Sequence, residues 1–259
     1  MEFIGDIVRK TGELSMLAVE ATKASRAFEI GKASGLFYVP KVVNFDAKEQ
    51  VLEFERLSDL ATLLDLAIRK DQRLPGLLKR AGQALAVVHE KLVLPEEMKC
   101  ELPPEWMDSP DEDVFVHGDF ACINVCFHEP SGALVILDWS AAPLVGRTPT
   151  FGSRYFDILW FVNCLFGGVP NKRVLSWDAE GMADAFLKGY AKEASPEKLN
   201  RLQDYLPKIC RLQRKNIRYL LGRQNSPIRA AAYLFAQALM YPRLYMFLRK
   251  YKYSEDVIR

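Results

Sequence analysis

Apolar and polar positions along this chain change their period about a quarter of the way in. Before Leu57 the apolar runs are short and broken by Thr-Gly-Glu and Asp-Ala-Lys-Glu, the punctuation of strands joined by turns. IVRKTGELSMLAV therefore predicts two strands around Thr11-Gly12-Glu13. KASRAFEIGKAS predicts a helix ending near Gly35, and VPKVVNFDAKEQVLEFERL two further strands. From Ser58 onward apolar residues recur three and four apart. LATLLDLAIRK and LLKRAGQALAVVHEKL predict helices, the second interrupted by Gly82. A Pro-rich connector, LPPEWMDSPDED, leads to VCFHEPSGALVILDW, which alternates on both sides of Glu-Pro-Ser-Gly and predicts a hairpin. YFDILWFVNCLF, AEGMADAFLKGYAKE, LNRLQDYLPKICRLQRKNIRYLLG and AAAYLFAQALMYPRLYMFLRKY then carry the stripes of core-facing helices. The pattern predicts a small, mainly β piece followed by a larger, mainly helical one, and a cleft between such pieces is a common ligand site.

Composition narrows this reading without changing it. The chain has 259 residues, 49% of them hydrophobic and 26% charged, which suits one large globular domain or two unequal ones. No apolar run approaches the roughly 20 residues of a membrane-spanning helix, and MEFIGDIVRK has no signal-peptide block, so a cytoplasmic address is expected. The cysteines Cys100, Cys122, Cys126, Cys164 and Cys210 are odd in number and fit reduced thiols better than a disulfide framework.

Charge is uneven. The net charge is +2, yet Arg201 to Arg259 holds 13 Lys and Arg against 3 Asp and Glu. Such a surplus suits an anionic partner, or equally the solvated faces of amphipathic helices. Lys208, Arg211, Arg214, Lys215, Arg218 and Arg223 spread over more than one helix face, looser than a nucleic-acid stripe. A zinc reading of Cys122, Cys126 and His128 with His117 lacks a second ligand pair at the usual spacing.

The candidate chemistry lies in VHGDFACIN and the VILDW that follows. Asp119 and Asn124 stand five residues apart in a loop, and the hairpin returns the chain so that Asp138 can reach the same place. Phosphoryl transfer asks for such a set: a carboxylate beside the attacking hydroxyl, and oxygen ligands that hold Mg²⁺ on nucleotide phosphates. Gly118 permits a tight turn next to the acid, and His117 can brace the loop through backbone carbonyls. The bland alternative is that Asp119 and Asn124 cap a turn and Asp138 a helix.

His117-Gly118-Asp119, Asn124 and Ile136-Leu137-Asp138-Trp139 resemble the catalytic loop and metal-binding acid of the aminoglycoside phosphotransferase and choline kinase family. VLEFERLSDL resembles its adenine-receiving strand and hinge, LAVVHEKL the helix ahead of its catalytic loop, and GSRYFDILWF the segment after its metal acid, so the likeness spans about Gly31 to Phe161. The resemblance implies an α+β, protein-kinase-like two-lobed fold with a short, mainly β N-lobe over residues 1–57, a hinge near 55–57, and a helical C-lobe over 58–259. It implies an ATP- and Mg-dependent kinase transferring the γ-phosphate to a hydroxyl of a small-molecule acceptor, an anionic one being a form that the basic helices would suit. The alternative is a nucleotide-binding module without catalysis. Asp119 would orient the hydroxyl, Asn124 and Asp138 hold metal, backbone groups around Glu55 and Leu57 bind adenine, and Asp157 steady the loop.

Family members also pair a strand lysine, on the nucleotide phosphates, with a helix glutamate. If IGDIVRK is the strand, the lysine is Lys10 and its partner Glu20 or Glu29. If LSMLAVEATK is the strand, Lys23 substitutes and Glu29 is the partner, the reading preferred because Thr-Gly-Glu makes a turn. At most ten to fifteen residues precede either candidate strand, and Gly5 is the only glycine among the first ten, so the phosphate lid is expected to be short or absent.

Overall fold

A computed structural model describes residues 1–109, 112–140 and 149–251. Part of the Pro-rich connector and the last eight residues of the expected C-lobe lie outside that range.

The chain opens with strands β1 (Glu2–Ile4) and β2 (Ile7–Thr11), followed by helix α1 (Leu14–Ser34). The segment LSMLAVEATK is therefore helix, not the strand expected. Its buried positions Leu17, Glu20, Ala21, Ala24, Ala27 and Gly31 fall three and four apart, a spacing that packs a helix face and that the local MLAV alternation hid. The helix stops at Gly35, whose left-handed φ of 68° and N–H bond to Gly31 O close its last turn. Strands β3 (Val42–Asp46) and β4 (Val51–Glu55) complete an antiparallel sheet of order β1-β2-β4-β3.

The helical remainder begins with a short strand, β5 (Leu60–Thr62), and α2 (Leu63–Arg69), whose start Thr62 and Asp65 close as a reciprocal capping box. Helix α3 (Leu74–Lys91) follows, then β6 (Asp113–Phe115). The expected hairpin forms as β7 (Val125–His128) and β8 (Ala133–Ile136), with Gly132 at φ 67° in its turn, and pairs through β7 with β5. Strand β9 (Phe151–Ser153) pairs with β6 and leads into α4 (Tyr155–Gly167). Helices α5 (Ala179–Ala194), α6 (Leu206–Leu221) and α7 (Pro227–Lys250) finish the chain.

Gly82 is a contact point between helices. A Cβ there would stand 2.1 Å from Phe186 O, and one at Gly189 would stand 1.9 Å from Lys79 O, so α3 and α5 cross backbone to backbone. One hydrophobic cluster runs through the whole fold, from Leu17 on α1 through Leu52 and Phe54 of the sheet to Leu248 on α7. Backbone bonds from Tyr38 N to Leu134 O and from Ile136 N to Tyr38 O fasten the chain between α1 and β3 to the β7–β8 hairpin. That seam sets the sheet against the hairpin and the loop before it. Among the described residues no helix is long and apolar enough to cross a membrane.

Candidate active site

The loop His117–Asn124 runs from β6 to β7, and its shape is imposed from beneath. Asp157, buried on the first turn of α4, accepts the His117 N–H at 2.7 Å through Oδ2 and the Gly118 N–H at 2.9 Å through Oδ1. His89 on α3 adds its Nε2 at 3.1 Å from the same Oδ2, and its Nδ1 lies 2.9 Å from the Tyr190 hydroxyl. A carboxylate can only accept, so the His89 proton sits on Nε2. Gly118 takes φ 91°, left-handed space that a side chain would resist. His117 braces the loop differently from expectation: its Nδ1 accepts the Asp119 N–H at 3.2 Å while its ring lies over Trp139, centroids 4.4 Å apart. Burial lowers its pKa to about 4, so the imidazole is neutral.

Asp119 is held at both oxygens. Trp160 Nε1–H donates to Oδ1 at 2.7 Å, and Asn124 Nδ2–H donates to Oδ2 at 3.1 Å and to the Asp119 carbonyl at 2.9 Å. Burial raises its pKa to about 6, with the two donors pulling the other way and the Asp138 charge adding to the rise. Asn124, with its amide nitrogen committed to Asp119, keeps its oxygen for another partner.

Asp138 follows β8 by two residues and adopts φ 57°, uncommon for a non-glycine residue and a conformation that tends to persist at functional sites. Its Oδ1 accepts from Lys10 Nζ and from Ser140 Oγ, both at 2.8 Å, which leaves Oδ2. Burial would raise its pKa, but the Lys10 ammonium outweighs burial and holds it below the usual range. Lys10 projects from β2 and also forms an ion pair with Glu20 of α1. Burial pulls the Lys10 pKa down, and the two carboxylates more than reverse it.

Lys10, Glu20, Asn124 and Asp138 open on one cavity of about 330 Å³ beside the four-stranded sheet, and Asp119, bonded to Asn124, lies behind that wall and does not line it. The cavity wall includes Lys10, Glu20, Asn124 and Asp138 on the polar side and Val8, Val39, Phe54 and Leu137 on the apolar side. Glu55, Arg56 and Leu57 form one edge, and Met1 and Phe3 border it from the β1 end. At that edge the Glu55 N–H bonds Lys41 O, the Arg56 N–H bonds Asp6 O, and the Glu55 carboxylate accepts the Tyr38 hydroxyl and the Lys41 N–H. Leu57 N–H has no partner among the described residues.

Lys23 and Glu29 do not come to this cavity. Both stand on α1, six residues apart and so on different faces; Glu29 is exposed, while Lys23 is wholly buried. Lys23 Nζ donates to the His117 carbonyl, and burial lowers its pKa to about 8 despite the carboxylates around it. An ion-paired cluster of a strand lysine and two acids is formed by Lys10, Glu20 and Asp138, with Lys10 and Glu20 as in the other of the two expected pairings. Arg214 and Arg218, considered for an anionic acceptor, are exposed on α6 and do not line the cavity.

Solved structures of small-molecule kinases are similar to this chain in fold. A choline/ethanolamine kinase family protein from Mesorhizobium loti matches 95% of this chain and 87% of its own at 18% identity and a TM-score of 0.55. A glucosamine kinase in complex with glucosamine, ADP and inorganic phosphate matches 86% and 73% at 15% identity and 0.55. An amicoumacin kinase in complex with AMP-PNP and Ca²⁺ matches 92% and 80% at 13% identity and 0.53. The chain has the protein-kinase-like fold. No protein-family model and no curated protein matches the sequence. Within this fold the Lys10–Asp138 bond joins the four-stranded sheet to the chain that follows β8 along the polar wall of the cavity.

The residues present fit a divalent cation with nucleotide phosphates. Asn124 Oδ1 and Asp138 Oδ2 are hard oxygen donors on one wall, and no thiol or imidazole lines the cavity. Too few for an all-protein cage, they suit an ion whose other ligands come from phosphate and water. The Trp160 contact to Asp119 was not legible beforehand: Trp160 sits inside an unbroken apolar run, where nothing local marks an indole as a hydrogen-bond donor.

Proposed function

We propose that this protein is an ATP- and Mg²⁺-dependent phosphotransferase that moves the γ-phosphate of ATP to a hydroxyl group of a small molecule. The observation that carries the reading is the cluster at the cavity wall: a strand lysine tied to a helix glutamate and to a second acid, with an asparagine alongside and a carboxylate one loop away. The fold likeness to kinases of choline, glucosamine and amicoumacin type supports the same class. In this reading residues 1–57 are the nucleotide-side lobe and the remainder is the acceptor side.

Each side chain then has one task. Val8, Val39, Phe54 and Leu137 sandwich the adenine ring, and the Leu57 N–H meets its edge. Lys10 holds phosphate oxygens, released in part from Asp138. Asn124 Oδ1 and Asp138 Oδ2 hold the metal. When bound, Mg²⁺ neutralises charge on the β- and γ-phosphates and orients them. Asp119 accepts the proton of the acceptor hydroxyl as its oxygen bonds to the γ-phosphorus, the bond to the β-phosphate oxygen breaks, and ADP leaves.

Thermal unfolding with ATP, with Mg²⁺ and with both tests the site. A ligand at about 100 times its dissociation constant stabilises by roughly 2.7 kcal/mol, a shift of about 5–10 °C for a chain of this size. The shift is expected only with both, to vanish in Asp138→Ala, and to survive in Asp119→Ala. ATP consumption is then measured over a panel of amino sugars and amino alcohols, where Asp119→Ala should lose about 10²–10⁴ in turnover. Nucleotide binding without turnover on any acceptor would favour the nucleotide-binding module, and undiminished turnover in Asp119→Ala would end the mechanism.

A further inference from the structure

The basic C-terminal helices are more ordered in their charge than a solvated surface needs to be. From Leu206 to Tyr251 the sequence holds no Asp or Glu and ten Lys and Arg. On α6 the exposed residues Arg211, Arg214, Lys215 and Arg218 recur at three, four and seven, one face roughly 100° wide, opposite the buried Ile209, Leu212 and Gln213. None of the four has a carboxylate partner among the described residues, whereas Arg243 on α7 is taken by Glu180.

Helix α7 presents the complement. Five of the fourteen large apolar side chains exposed among the described residues stand on it: Ile228, Leu234, Phe235, Tyr245 and Met246, with Ile228 82% and Phe235 62% exposed. At 3.6 residues per turn they share an arc of roughly 120°, completed by exposed Ala238 and Pro242. The row from Ile228 to Met246 is about 27 Å long. Arg229 lies near one end, and Arg249 and Lys250 lie at the other. Both helices pack on α4 and on each other, so their outward faces look away from α4 together. Leu175, 88% exposed, lies on the 3₁₀ segment Asn171–Ser176 that packs against α7.

We propose that the outward faces of α6 and α7 form a docking surface for an anionic lipid bilayer. Charge and apolarity together choose this occupant. A second copy would set the α6 cations against identical cations. Nucleic acid would engage the cations and could stack on Phe235 or Tyr245, but it leaves Ile228, Leu234 and Met246 in the same row without an apolar partner. A bilayer with anionic headgroups supplies charge to Arg211–Arg218 and an apolar layer to Phe235 and its neighbours, the two contributions that hold amphipathic helices at membrane interfaces. The surface lies apart from the cavity and stands whether or not the phosphotransferase reading holds.

Flotation of the full chain with vesicles tests it, using phosphatidylcholine alone and phosphatidylcholine with about a quarter phosphatidylglycerol. Binding is expected to the anionic vesicles only, and to weaken steeply as salt is raised. The double variant Arg214→Gln, Arg218→Gln should lower partitioning about thirtyfold, at about 1 kcal/mol for each cation near the surface. Phe235→Ser should lower it at least about tenfold, from lost apolar burial. Because all three side chains are exposed, the variants should keep the wild-type unfolding temperature. Equal binding to neutral vesicles, or none to anionic ones, overturns the proposal. So does tight binding to duplex oligonucleotides that Phe235→Ser leaves unchanged, which would make the face a polyanion surface. A dimer in sedimentation that Phe235→Ser breaks and vesicles do not compete with would make the face an interface between copies.

Discussion

Asp119 shows how a side chain can be made useful by opposing influences. Burial pushes its pKa up to about 6, while the Trp160 indole and the Asn124 amide stabilise the charged form. A base must be ionised to take a proton, so kcat/KM should fall about tenfold per pH unit below roughly 6 and level off above 7. Trp160→Phe removes a donor to the carboxylate, and the acid limb should then move to higher pH; kcat/KM profiles of both proteins between pH 5 and 8 decide this. A limb that stays in place in the variant would mean that the indole does not hold the charge. The same shift has a stability counterpart with a definite sign. A carboxyl whose folded pKa is raised binds protons more readily in the folded chain, so its contribution is most favourable below the unfolded value near 3.8 and is lost as pH rises through about 6. Asp119→Ala should therefore unfold at a higher temperature relative to wild type at pH 8 than at pH 4, read by melting both proteins at the two pH values.

Among the elements, those with long apolar stripes were legible and those depending on distant partners were not. Helices α3 to α7, the β7–β8 hairpin and the stop at Gly35 follow from local spacing and turn residues. Helix α1 was divided between strand and helix because its inward face is largely alanine, and Ala21, Ala24 and Ala27 give little hydrophobic contrast. Strands β5, β6 and β9, three residues each, are too short to show a period. The candidate site divides in the same way. Asp119, Asn124 and Asp138 are close in sequence and were visible as a motif, whereas Lys10 and Asp138 meet across 128 positions and only the fold brings them together. Gly82 read as an interruption and is instead a requirement of the α3–α5 crossing. Gly82→Ala and Gly189→Ala should each destabilise by about 1–3 kcal/mol, since the added methyl meets backbone that cannot yield. Gly76→Ala, with nothing within 4 Å of the new Cβ, should be neutral or stabilising by up to about 1 kcal/mol. Urea midpoints of the three variants give the comparison, and three equal values would remove the close crossing as the reason for the two glycines.

At the scale of the whole molecule, the question is whether the sheet end and the helical end are separate folding units. Chains above about 150 residues often unfold in steps, and a small sheet ahead of a larger helical part invites that outcome. Several features oppose it here. The hydrophobic cluster passes from Leu17 and Phe54 into the helices without a break. Tyr38 makes two backbone bonds to the β7–β8 hairpin, and the buried Lys23 ties α1 to the carbonyl of His117. None of these ties is a surface contact that water could replace at little cost. Scanning calorimetry should accordingly give one heat-capacity peak with calorimetric and van't Hoff enthalpies in agreement, and a nucleotide bound in the cavity should move that peak as a whole. Lys23→Met leaves the His117 carbonyl buried without its donor and should lower the melting temperature by several degrees. The transition should stay single, because the apolar cluster still joins the two ends. Two resolved peaks in the wild-type chain, with only one of them moved by Mg²⁺ and ATP, would instead assign the sheet its own stability and make the seam at Tyr38 and Lys23 a joint between domains.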